Sequence, residues 1–184
     1  MMNKRKVIAA ISAYLLVLAI YAAFFSIPVT PAHMEHPLYK EVKRENITTI
    51  PNAEYIMYIR GSLNPAILVI ATVRTPFIPH KTYSSLLKYT ENITESEVKK
   101  RYGVDIDLVY KGEKIVEINN HTVIMDEYDV YLNYLTPSPI RPKVIKLDVG
   151  AYFCRENFES IIIAYAYPPI FASDFDEVIS SIQC

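Results

Sequence analysis

A chain of 184 residues, 51% of them hydrophobic, is long enough for one buried core and not comfortably for two. Its 19 basic residues include the run Lys4-Arg5-Lys6, so the rest carries 16 basic against 20 acidic residues and is mildly acidic. That balance argues against nucleic acid as a partner. Only four glycines, with no Ser or Cys elbow motif, argue against a phosphate-cradling loop or an activated nucleophile.

The first element in chain order is VIAAISAYLLVLAIYAAFFSIPV, residues 7–29, which carries no charge and follows Lys4-Arg5-Lys6 directly. As a helix, 7–27 would rise roughly 31 Å, the thickness of a bilayer's hydrocarbon core. Residues 1–29 therefore read as a basic stub and a transmembrane signal-anchor helix, and lipid is an expected partner through that helix. A cleaved signal after Thr30-Pro31-Ala32 and a buried helix are the alternatives. On the far side Lys40, Lys43 and Arg44 come only after a polar stretch. The basic flank thus predicts a single-pass cell-membrane protein with a cytoplasmic N-terminus and an outside C-terminal domain. Arg5-Lys6-Val7-Ile8 also loosely matches a pilin leader site, without the glycine such sites carry.

Residues 30–52, with three prolines and mixed charge, read as a juxtamembrane linker, and 53–184 as one α+β domain. Strands are expected at 55–60 and 66–75, joined by Gly61-Ser62-Leu63-Asn64-Pro65. The second of these, AILVIATV, is apolar on both faces and should be covered on both sides. A helical stripe begins at Tyr83, Leu86 and Leu87 and continues to Ile93, and the capping box Thr94-Glu95-Ser96-Glu97 starts a second short helix ending at Gly103. Further strands follow at 105–110, 114–118 and 121–135, with Lys111-Gly112-Glu113 and Asn119-Asn120 as turns. Beyond an irregular loop marked by Pro137, Pro139 and Pro142, strands at 144–154 and 158–165 form a last hairpin. Ser173-Asp174 then caps a helix whose Phe175, Val178, Ile179 and Ile182 share one face. An antiparallel sheet with helices on both faces results.

Cys154 and the terminal Cys184 read as a disulfide that ties this helix to the sheet, if the domain faces an oxidising compartment. Asn46, Asn92 and Asn120 each open an Asn-x-Thr sequon and are candidate glycan acceptors, with ordinary turn and capping chemistry as the plain alternative.

Two segments carry a family resemblance. KIVEINNHTVIMDEYDVYLNYL looks like an x-I-N-G-x-x-A hairpin leading into a long strand, and FESIIIAYAYPPIFASDFDEVISSI like a tyrosine-bearing strand, a proline break and a closing helix. Together they resemble the PsbP-like fold, named for an extrinsic subunit of photosystem II. The resemblance implies an α/β/α sandwich and a non-enzymatic domain that docks on a membrane complex or binds a partner. It carries no catalytic residue across.

Other chemistry is weaker. His33-Met34-Glu35-His36 offers two imidazoles and a carboxylate, but a metal site would need further ligands, and a solvated connector is the simpler reading. Asp126, Glu127 and Asp129, and separately Asp105 and Asp107, could serve acid–base or calcium chemistry, although alternating charge on a strand more often marks its wet face. His80 and His121 read as turn residues. Tyr128, Tyr131, Tyr134, Tyr152, Tyr165 and Tyr167 could line a groove for a peptide or lipid, or simply pack across strands. No catalytic, cofactor or metal residue is assigned. The expectation is a membrane-anchored extracytoplasmic domain that binds an unidentified membrane or envelope protein. The alternatives are a pilin-like subunit, or an envelope hydrolase or metal-binding protein using the acidic strand.

Overall fold

A computed structural model describes residues 4–50, 52–74, 80–134 and 141–184, with the side chains of 4–10, 24–25 and 80–86 left aside. The elements run α1 (Lys4–Ser26), β1 (His33–Met34), β2 (Lys40–Asn46), β3 (Ala53–Arg60), β4 (Ala66–Arg74), α2 (His80–Tyr102), β5 (Asp105–Ile118), β6 (His121–Asn133), β7 (Val144–Cys154), β8 (Glu159–Tyr167), a 3₁₀ turn (Pro169–Asp174), α3 (Phe175–Ser180) and β9 (Ile182–Gln183). Seven strands form one sheet in the order β2-β3-β4-β8-β7-β6-β5, and β1 pairs with β9 in a separate ribbon. Every pairing is antiparallel.

Two expectations are corrected. Among the described residues the α+β class gives way to a mostly β fold built on the seven-stranded sheet. Nor is there support for the transmembrane span: among the described residues no helix is long and apolar enough to cross a membrane. The single-pass cell-membrane location and the topology drawn from its flanks rested on that span and fall with it.

The central strands β4 and β8 are buried along their whole length, so each contributes side chains to both faces. One face packs Ile67, Val69, Ile162, Ala164, Leu147, Val149 and Val130 against Val98 and Tyr102 of α2. The other packs Ile56, Leu68, Ile70, Ile161, Ile163, Met125 and Val123 against Phe175, Val178, Ile179 and Ile182. Gly150 lies on this second face because a Cβ there would sit 2.6 Å from Met125 Cγ and 3.1 Å from the Ile124 carbonyl.

Four local readings change in the folded chain. The stretch 30–52 supplies β1 and the edge strand β2, whose sequence KEVKREN shows no alternation because nearly all of it is exposed. The two helices read across 83–103 are one helix, α2. Thr94 Oγ1 donates back to the Thr90 carbonyl at 2.8 Å instead of capping a new start. Gly112 is a bulge inside a continuous β5, at φ 147°, rather than a turn between two strands. Asn119 and Asn120, at φ 49° and 61°, do form the tight turn into β6. The final helix is short, and Asp174 spends its carboxylate on Arg60 rather than on a cap, while Ile182 reaches the core from β9. Pro137, Pro139 and the expected end of β6 at Leu135 lie outside the described residues.

Candidate functional site

The residues singled out in the sequence are scattered by the fold. Asp126 points to the α2 face of β6, while Glu127 and Asp129 belong to the opposite face with Lys146. Lys146 Nζ lies 2.7 Å from Asp129 and 3.6 Å from Glu127, and this pairing, with Lys111 adding to it, holds the Asp129 carboxyl below its usual range. Asp105 is exposed at the start of β5, and Asp107 accepts a hydrogen bond from Asn133. His33 pairs with Gln183 across the β1–β9 ribbon, and His36 turns inward to lie 3.5 Å from Glu177 of α3. Among the described residues, no group of three or more His, Cys, Asp or Glu is placed to hold a metal ion.

His121 stacks near Tyr152, whereas the side chain of His80 lies outside the described residues. Asn46 ends β2 beside a cleft of about 490 Å³ that it lines with Ser26 and Thr48. Asn92 is exposed within α2, and Asn120 lines a second cleft of about 380 Å³ with Asn119, His121 and Cys184. Cys154 and Cys184 stand as a disulfide, with their α-carbons 6.2 Å apart.

The tyrosines divide. Tyr165 and Tyr167 stack at 4.6 Å beneath Phe175, and Tyr39 meets Tyr165 through their hydroxyls. Burial raises both Tyr165 and Tyr167 far above the usual phenol range, and pushes Tyr152 up to about 12. These phenols stay protonated at neutral pH, fit for hydrogen bonding and not for attack. Beside them Lys114 Nζ lies 2.6 Å from the fully buried Asp148 and 3.4 Å from the Phe175 ring centroid. Burial raises the Asp148 carboxyl despite that lysine. Arg60 bonds Asp174 and lies over Phe171, which fixes the turn before α3. Sequence could not pair these groups, because their partners lie 34 and 114 residues apart. The whole seam clamps α3 onto the sheet.

The surface able to act outward lies on the other face of the same strands. In β5 and β6, Ile115 pairs with Ile124, and Tyr110 with Tyr128 at a ring separation of 5.5 Å. Across β7, Phe153 meets Phe158 edge-on at 6.5 Å. Exposure here is high for large apolar groups: 72% at Ile115, 57% at Ile124, 56% at Phe158, 54% at Tyr110 and 39% at Phe153. Single exposed apolar residues are ordinary, but a group on one sheet face marks an interaction surface. The signal was present in the sequence, since Ile115-Val116 and Val123-Ile124-Met125 flank the turn with consecutive apolar residues that must serve both faces.

The sheet edges offer less. The β2 edge carries a bulge and the ion pairs Arg44–Glu41 and Lys43–Glu45, and β5 is bent by its own bulge and studded with charge. Both edges are guarded against strand addition.

No family model, curated protein or solved structure matches this chain.

Proposed function

We propose that the chain is a non-catalytic binding domain that docks a protein partner on the open half of the α2 face. The observation that carries this reading is the exposed group of Tyr110, Ile115, Ile124, Phe153 and Phe158 on strands whose reverse side is sealed at Ile118, Val123, Met125 and Cys154. Aromatic and aliphatic side chains held on a rigid sheet lose little entropy on binding and supply the apolar centre of an interface. The resemblance to PsbP-like domains supports the same kind of role. A photo-reactive phenylalanine analogue in place of Ile115 tests it in the producing cell. Irradiation should yield a discrete adduct with one partner, and the same analogue at Val109, exposed on the opposite face of β5, should not. Equal yields from the two positions, or none from 115, overturn the reading.

A further inference from the structure

We infer that the occupant of this surface is an amphipathic helix with a cationic flank, laid beside α2 on the sheet. The inference rests on the docking reading above and names the partner's chemistry. Seven strands at about 4.8 Å spacing make a sheet roughly 30 Å across, whereas a helix with its side chains is about 10–12 Å wide. On this face α2 packs chiefly on β4 and β8 and meets β5 and β7 only in part. Among the described residues no helix covers the ends of β5 and β6 that flank the Asn119-Asn120 turn, and a strip of that width suits one further helix. A strand is the poorer guest, because both edges are guarded.

Charge selects the kind of helix. Glu113 pairs with Asp126 across β5 and β6, between the Ile115–Ile124 pair and Tyr110–Tyr128, and Glu117 continues the same face. Glu91 of α2 faces Asp126 and Tyr128 from the side. Its carboxyl is raised by burial and then by Glu95 and Asp126, while Lys88 acts against them. Carboxylates therefore interleave with the apolar side chains. A second copy of this surface is disfavoured, since a two-fold interface would set these acids against each other. Lysines or arginines flanking an apolar stripe would meet them with opposite charge, while the stripe covers Ile115, Ile124 and the two phenylalanines.

The test uses the full chain and two synthetic helices of 18 residues, one with a leucine stripe and lysine flanks, the other with glutamates in place of the lysines. Fluorescence anisotropy of the labelled peptides should show the lysine form binding at least tenfold more tightly. The Glu113→Gln/Asp126→Asn pair should shrink that preference, and Ile115→Ser/Ile124→Ser should abolish binding while the unfolding midpoint holds. Equal binding of both peptides, lost in the double serine variant, overturns the cationic assignment and leaves the docking surface standing. Lysine-peptide binding that survives the serine variant, or no binding of either peptide, overturns the helical occupant. The docking reading itself is judged separately, by the cross-link at 115.

Discussion

The hairpin half of the sheet has two faces that share a backbone and differ in fate. On one, Val123, Met125 and Ile118 are sealed beneath Ile182, α3 and the Cys154–Cys184 bridge. On the other, Ile124 and Ile115 stand in the open beside Tyr110. Period-two alternation alone cannot produce this, because both faces carry large apolar groups. The difference lies in what covers them. α3 has only 6 residues, and the Arg60–Asp174 pair, the Lys114–Phe175 contact, the β1–β9 ribbon and a disulfide hold the C-terminal segment in place. Nothing comparable is spent over Ile115 and Ile124 among the described residues. The proposed docking would use the face left open opposite the sealed Ile118, Val123 and Met125.

The largest effect should come from breaking the pair inside the covered face. Lys114→Met leaves Asp148 buried without its counter-ion and should cost about 3–5 kcal/mol in urea unfolding. Lys114→Met with Asp148→Leu should recover most of that loss, since a hydrophobic pair of similar volume often replaces a buried ion pair at no net cost. A single variant with no measurable cost would mean that α3 is not clamped as described.

Neighbours in the chain sharpen the comparison. Met125 is fully buried and Ile124 exposed, one residue apart on opposite faces. Met125→Ala should destabilise by about 2–5 kcal/mol. Ile124→Ala should stay within about 0.5 kcal/mol of the parent. Similar costs at both positions would show the α2 face to be covered by the chain itself.

A smaller effect is expected from pH. Burial raises the Asp148 carboxyl above its ordinary 3.8, so the folded state binds its proton more readily than the unfolded chain. The stability this group contributes is full below pH 3.8 and is lost as pH rises through the raised value. Unfolding curves of the parent and Asp148→Asn, followed upward from pH 3.5, should therefore show the parent losing ground to the variant. A parent that gains on it would place the carboxyl below its ordinary value, as Asp129 is.

Much of the sheet was legible in the sequence because β4 and β8 are near-continuous apolar runs bounded by turn residues, and β3 carries YIMYI. The Asn119-Asn120 turn was legible too, from the positive φ that asparagine tolerates. What failed did so for identifiable reasons. Edge strand β2 buries too little to show a period, and Gly112 bends a strand in the same residue pattern that would turn it. Thr94 was misplaced because its hydroxyl serves a helix interior as readily as a cap. The apolar run of α1 looked long enough for a bilayer when counted in letters, but no described helix meets that length and apolarity. The clamp beneath α3 depends on residues distant in sequence, and no local pattern announces it.

The docking surface is tested most directly by taking Ile115→Ser/Ile124→Ser and the parent chain through the same two measurements. One is the urea unfolding midpoint, and the other is recovery of a stoichiometric partner from the producing cell. The account predicts an unchanged midpoint and loss of the partner. A variant that keeps the partner at parental yield, or whose midpoint collapses with it, would contradict the claim that this face is built for docking.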